Sequence, residues 1–222
     1  MTHVVIGATG GVGAAVADAL EARGEPVLRL SRRSTPPLDL LDEASIAAAA
    51  ERAGQGLRLV FDATGFLHDE RFQPEKSLRQ LDPAHLAHAY ALNAIGPALL
   101  MKHFLPRLAR EGRAVFATLS ARVGSIGDNR MGGWHAYRAS KAALNQLVRT
   151  AAVEAARTRP GQIVVALHPG TVATGLSAPF SKSGLEVQAP AQAAARLLEV
   201  LDRLTPAETG GFFDHKGEAI PY

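Results

Sequence analysis

Short apolar runs alternate with longer stretches whose apolar positions recur every three or four residues, from one end of the chain to the other. Val4-Val5-Ile6, within the segment Thr2 to Ile6, reads as a strand entering a glycine turn. Gly11 to Arg23 then has the periodicity of an amphipathic helix, with Gly24 as its stop. Pro26 to Ser31 predicts a second strand, and Leu38-Asp39-Leu40 a short third one, followed by a helix from about Asp42 to Ala53. Leu57 to Ala63 predicts a fourth strand, and the mostly polar stretch Gly65 to Leu81 a loop. Asp82-Pro83 opens a long helix, with the acid as N-cap and proline in the first turn. It extends to about Arg110, with Pro97 as a candidate kink. Arg113 to Ser120 is the fifth predicted strand, Trp134 to Arg157 a helix, and Gln162 to Leu167 the sixth strand, ended by His168-Pro169-Gly170. A last helix covers about 190 to 204, and Phe212-Phe213 falls in a closing strand.

This alternation predicts an α/β fold: a doubly wound, mostly parallel sheet of about seven strands with helices on both faces. Neither a linker nor an internal repeat interrupts it, so residues 1–222 are read as one domain. In such a sheet, ligands bind at the carboxyl ends of the strands. The Ser- and Gly-rich segment Ser177 to Gly184 follows the sixth strand there, and is a candidate mobile substrate lid.

Composition narrows the function. The 222 residues are 47% hydrophobic and 20% charged, an ordinary globular balance. No stretch is apolar enough to cross a bilayer and no signal peptide is expected, so a soluble cytoplasmic protein is the expectation, with no membrane partner. Absence of cysteine excludes disulfides, thiolate catalysis and Cys-ligated metals. His85 and His88 lack the companions of a metal motif, so no metal site is expected. The net charge of +3 comes from dispersed Arg and Lys without interleaved aromatics, which argues against nucleic-acid binding.

The turn Gly7-Ala8-Thr9-Gly10-Gly11-Val12-Gly13 lies between a strand and a helix. Glycines there let backbone N–H groups approach a pyrophosphate at the positive end of the helix dipole, as in a Rossmann dinucleotide site. The alternative is a tight βα turn with no ligand. At the end of the second strand an Asp or Glu would bind the ribose 2′-hydroxyl of NAD. Ser31-Arg32-Arg33 stands there instead, offering guanidinium groups to a 2′-phosphate, so NADP(H) is favoured over NAD(H). A solvated surface pair is the alternative. Asp39, beside Leu40, is placed to accept from the adenine amino group.

Tyr137 and Lys141 are four apart on a predicted helix, and so share a face about 6 Å apart along its axis. A free tyrosine has a pKa near 10, whereas an adjacent ammonium favours phenolate and lowers that value. Lys141 and the positive charge of an oxidised nicotinamide are expected to share that work. Spacing alone is common by chance. The ordered set of glycine turn, Asn93, a glycine-rich loop after the fifth strand and Tyr137-Arg-Ala-Ser-Lys141 resembles the short-chain dehydrogenase/reductase family over essentially the whole chain. Within it, Gly124-Ser-Ile-Gly-Asp-Asn, then Gly-Gly-Trp134, and the ending Gly-Gly-Phe-Phe-Asp-His-Lys-Gly resemble the C-factor and sniffer-like carbonyl reductases. The resemblance implies hydride transfer between NADP(H) and a small-molecule carbonyl or alcohol. In it Tyr137 is the acid/base, Lys141 also holds the nicotinamide ribose, and Asn93 helps hold a relay water. It further implies cofactor contacts from the turn Ala63, Thr64 and Gly65 and from Pro169, Gly170, Val172 and Thr174, and a homodimer or homotetramer built on the helices carrying Asn93 and Tyr137.

Two departures stand out. Asp62-Ala63-Thr64-Gly65 replaces the family's Asn-Asn-Ala-Gly, which keeps the turn and gives up the asparagine side-chain bonds. In Ser120-Ala121-Arg122-Val123-Gly124, the place of the substrate-orienting serine is Ala121. Losing an oxyanion-type donor costs on the order of 100-fold in rate. Ser120 would serve if the strand end shifts by one residue, and ranks ahead of Ser125, which would need the loop to fold back. A rival reading follows from this gap: a dinucleotide-binding sensor with little turnover.

Overall fold

The computed structural model describes residues 3–180 and 186–222. The Thr2 start of the first strand and the 181–184 part of the expected lid lie outside the described residues.

Six parallel strands form the main sheet: β1 (His3–Ile6), β2 (Val27–Leu30), β3 (Leu59–Asp62), β4 (Ala114–Leu119), β5 (Gln162–His168) and β8 (Phe212–Asp214), in the order β2-β1-β3-β4-β5-β8. A separate two-residue pair, β6 (Thr171–Val172) with β7 (Val187–Gln188), lies beyond β5. Alternate residues of each strand face opposite sides. Val4, Ile6, Val60, Phe116 and Val164 pack toward α2 (Glu43–Ala53), α4 (Gly96–Phe104) and α5 (His135–Thr158), meeting Ile46, Leu100, Phe104, Leu144 and Val148. Val5, Phe61, Val115, Ala117 and Leu167 pack toward α1 (Gly11–Ala22) and α6 (Pro190–Arg203), meeting Val16, Leu20, Leu197 and Leu201. Burial on both faces explains why the inner strands are mostly apolar, whereas the edge strand β2 is half-buried and carries Arg29.

The expected third strand is not formed. Leu38 and Leu40 are buried in the α2/α4 core, while local side chains and turns satisfy the backbone between them. Asp39 N–H donates to Ser45 Oγ at 2.9 Å, and the Asp39 carboxylate accepts from Leu41 N–H at 2.9 Å. The apolar-polar-apolar pattern there anchors a loop, and the main sheet has six strands rather than about seven.

The long helix expected from Asp82 to Arg110 is broken into α3 (Pro83–Tyr90), a π turn at Ala91–Ile95, α4, and a 3-10 turn at Leu105–Arg107. Pro97 lies in the first turn of α4, so the distortion precedes it. In an unbroken α-helix its ring would clash with the carbonyl four residues back, that of Asn93, and a widened turn relieves this. Asp82 caps α3 by accepting from Ala84 N–H at 2.8 Å, and Asp42 caps α2 through Ala44 N–H at 3.0 Å.

The chain turns to opposite sides of the sheet after β1 and β3, so their carboxyl ends flank the topological switch point. Among the described residues, no helix is long and apolar enough to cross a membrane. Phe116 sits fully buried in the central strand β4. Phe116→Ala should lower the unfolding free energy by about 3–5 kcal/mol, read from urea denaturation with an unchanged slope.

Candidate active site

The glycine turn after β1 is shaped for an anionic ligand. Gly7 takes φ +78° and donates its N–H to Leu30 O at 2.9 Å, tying the turn to β2. A Cβ on Gly13 would overlap the Gly7 carbonyl, so close helix–turn packing requires glycine there. Helix α1 follows Gly10 as its N-cap, without a side-chain cap and without an acidic residue in its first turn. Its leading N–H groups therefore carry no internal carboxylate, which suits a pyrophosphate. Thr174 comes over this end: a Cβ on Gly11 would stand 2.7 Å from its methyl.

One cleft of about 830 Å³ joins that turn to the predicted catalytic residues. Thr9, Gly10, Gly11 and Val12 line one end, and Ala63, Thr64 and Gly65 line the switch-point side. Ser120, Tyr137 and Lys141 line the other wall, with Pro169, Gly170, Val172 and Thr174 opposite. Gly7 and Gly13 support the turn from behind. Ser31, Arg32, Arg33, Asp39 and Leu40 fall beyond this cleft, on the segment that follows β2, which lies beside β1. Ser31 Oγ accepts from Arg33 N–H at 3.1 Å, and both arginines are exposed without an ion pair among the described residues. The Leu40 side chain is buried against Gly96, so it offers a ligand only backbone. These residues suit a dinucleotide that starts at the β2 rim, crosses the turn and ends beside Tyr137.

Polar groups converge beneath Lys141. Its Nζ donates to Leu119 O at 2.8 Å, and a Cβ on Gly65 would lie 3.5 Å from that Nζ and 3.8 Å from Asn93 Oδ1. Glycine at 65 therefore leaves the approach between the two open. The Asn93 amide is fully engaged: Oδ1 accepts from Phe66 N–H at 2.7 Å, while Nδ2 donates to Phe66 O at 2.8 Å and to Ser140 Oγ at 3.0 Å. Its backbone carbonyl differs, because the residue that would donate to it in a regular α-helix is Pro97.

Burial governs the protonation of the pair. Desolvation pushes Tyr137 up to about 12 and pushes Lys141 down to about 8, the latter opposed by the charge of Asp62. The expected lowering of the tyrosine is not met in the protein alone: desolvation of the phenolate raises it. Asp62, fully buried at the end of β3, is raised by desolvation despite accepting from Thr64 N–H (2.9 Å), Thr64 Oγ1 (2.6 Å) and Thr118 Oγ1 (2.7 Å). The family's asparagine bonds are therefore replaced by a carboxylate-centred turn.

Neither candidate serine presents a free hydroxyl to Tyr137. Ser120 donates to Asn145 Oδ1 at 2.7 Å on α5, while Ala121 turns a methyl to the cleft. Ser125 accepts from Asp128 N–H at 3.1 Å and lines a different hollow. The sequence reading missed Asp62 as Lys141's counter-charge and Asn145 as Ser120's partner. The first carries a signal, since Asp-x-Thr after a strand is an Asx-turn pattern; Asn145 shows only as a polar residue one turn beyond Lys141.

The lysine's burial has a measurable consequence. Its folded pKa near 8 lies below the ordinary 10.5, so between these values the unfolded chain holds a proton that the folded chain has released. Stability should therefore rise with pH across that window. Tyr137, raised above 10.0, acts oppositely and only at higher pH. Urea unfolding at about pH 7.5 and pH 9.5 should show wild type gaining about 1–3 kcal/mol relative to Lys141→Met. An equal response in the two proteins would contradict it.

Comparison with known proteins agrees with this architecture. Residues 7–209 match a family model described as enoyl-(acyl carrier protein) reductase. The chain is 36% identical over 148 residues to the C-signal protein of Myxococcus xanthus, covering 66% of this chain and 84% of that protein. It is 32% identical over 228 residues to a 1-hydroxy-2-glutathionyl-2-methyl-3-butene dehydrogenase of Rhodococcus sp. (strain AD45), covering 96% of both. The NADPH-bound carbonyl reductase from chicken fatty liver superposes with a TM-score of 0.86 at 27% identity, over 100% of this chain and 98% of that one. With a whole-length fold, a matched family model and the ordered glycine turn, Tyr137 and Lys141 in place, the chain belongs to the short-chain dehydrogenase/reductase family of oxidoreductases.

Proposed function

We propose that this protein reduces a small-molecule carbonyl compound with NADPH, with Tyr137 as proton donor. The observation that carries the reading is one cleft joining the uncapped start of α1 to Tyr137 and Lys141. NADPH supplies the hydride when bound; the chain's residues bind, orient and move the proton. The first-turn N–H groups of α1 hold the pyrophosphate, and Arg32 and Arg33 meet the 2′-phosphate as paired guanidiniums. Val172 and Thr174 border the nicotinamide, and Lys141 its ribose.

Negative charge builds on the substrate oxygen as the carbonyl is reduced, and the Tyr137 O–H donates its proton there. A tyrosine held up near 12 is protonated at neutral pH, the form that reduction requires. The raised value also makes it a weaker acid than free tyrosine, so in either direction charge from Lys141 and the bound cofactor would be needed to bring it toward the working pH. Resupply runs past Lys141 to a water at the Asn93 carbonyl, which Pro97 leaves without its α-helical donor. With Ala121 in the serine's usual place, the substrate oxygen is held chiefly by Tyr137. The reading also takes the protein as a cytoplasmic homo-oligomer, the association supported by the exposed apolar side chains of Ile95 in the π turn and Val153 on α5.

A sensor that binds the dinucleotide without turning over is the second reading, favoured by Ala121 and by the engagement of Ser120 with Asn145. It predicts tight NADPH binding with no consumption across a carbonyl panel. For the enzyme, Tyr137→Phe should cut kcat at least about 100-fold on a substrate verified with wild type while NADPH still binds; unchanged turnover would remove Tyr137 from the mechanism. Replacing Arg32 and Arg33 together by Ala should raise the KM for NADPH about tenfold or more and leave that for NADH nearly unchanged, in parallel steady-state titrations.

A further inference from the structure

The start of helix α5 is built in an unusual way. Trp134, the residue before it, takes φ +52°, and is the non-glycine residue with positive φ among those described. Backbone strain in this region persists when surrounding contacts hold it, and it gathers at functional positions. Trp134 has no side-chain cap to offer the helix. Tyr137 lies in that same first turn, so the way the helix starts sets where its hydroxyl stands.

Glu75, from the loop between β3 and α3, supplies what is missing. It is 3% exposed. Its backbone carbonyl accepts from Trp134 N–H at 2.5 Å, and its Oε2 accepts from Ala136 N–H at 3.2 Å. The carboxylate thus caps α5 from a distant segment, one residue before Tyr137. Its other oxygen lies 3.0 Å from His85 Nδ1 on α3, within ion-pair distance for a protonated imidazole and outside hydrogen-bond alignment. Phe72 stacks on that imidazole at 4.9 Å. Helix α3 runs directly into the π turn that holds Asn93. A single buried carboxylate therefore links the helix start that carries Tyr137 to the helix that leads to Asn93.

We infer that Glu75 is a positioning residue: by capping α5 in trans and pairing with His85, it sets Tyr137 against the reacting oxygen. The inference rests on the reductase reading above. Its effect is on geometry, where a displacement of about 1 Å costs on the order of 100-fold in rate. Cofactor binding rests mainly on α1 and the β2 rim, with Lys141 a full turn beyond the capped start of α5, so it changes little.

Trp134 is the single tryptophan of the chain, so its fluorescence reports directly on this start. In the full-length protein, Glu75→Ala should shift Trp134 emission to the red and increase its quenching by acrylamide. The kcat should fall about tenfold to 100-fold while the NADPH Kd stays within about twofold. Glu75→Gln, which keeps an acceptor for Ala136 N–H, should restore both the emission and most of the kcat. Unchanged Trp134 emission or unchanged kcat in Glu75→Ala would overturn the inference, as would equal loss in the Gln variant. If the Ala variant does not fold, Glu75→Asp, one methylene short of the cap, takes its place with the same outcomes. Tyr137→Phe run alongside separates the two levels. Retained turnover there defeats the reductase reading, whereas a dead Tyr137→Phe beside an unaltered Glu75 variant defeats this inference alone.

Discussion

Packing of α5 against β4 and β5 is what the remaining features rely on. The helix serves two purposes with one face. Leu144, Val148 and Ala152 fill the core beneath it, while Tyr137 and Lys141 project from its earlier turns into the cleft and the buried Asn145 accepts from Ser120 at the end of β4. Side chains four apart lie one above another, so a helix seated by its apolar residues seats its polar ones too. Close packing allows little adjustment: a Cβ on Gly124 would come 2.8 Å from the Lys141 Cβ, so the loop after β4 lies directly on the helix.

That seating has an electrostatic cost, which explains much of the site's chemistry. Lys141 enters the protein with its ammonium donating to the Leu119 carbonyl and with the buried Asp62 as the charge that opposes its desolvation. Burial disfavours its ammonium and disfavours the Tyr137 phenolate, so the two shifts move away from the charged pair that spacing alone suggested. The protein by this account prepares a neutral acid, and leaves the remaining charge to its ligand. Asp62 is held by three donors on two threonines, so it stays close under Lys141 without needing solvent. Ala121 lines the same cleft and brings no side-chain donor to it.

The π turn before Pro97 connects sequence to site in another way. A proline that ends ordinary helical bonding at Asn93 also widens the helix around it, and the Asn93 side chain is thereby set to grip the backbone of Phe66 at both its N–H and its carbonyl. This double bond fastens the loop that follows Gly65. The same loop contributes Glu75 to α5. Two segments that looked like a plain loop and a plain helix are therefore tied at both ends to the cleft.

What could be read from the chain was whatever depends on local order. Burial on both faces made the inner strands mostly apolar runs, 3.6-residue periodicity marked the helices, and a glycine turn between a strand and a helix marked the anion site. That Tyr137 and Lys141 would share one face and one cleft was legible, because four-residue spacing on a helix carries over directly into space. Leu38-Asp39-Leu40 misled, since alternation says that two side chains are buried but not whether the backbone has a partner strand. The orientation of Ser120 toward Asn145, the charge of Asp62 under Lys141, the upward shift of Tyr137 and the cap that Glu75 lends to α5 join residues far apart in sequence. Such contacts depend on which segments meet and how much water they exclude, and desolvation is a property of the packed surroundings that a residue's neighbours in sequence do not carry.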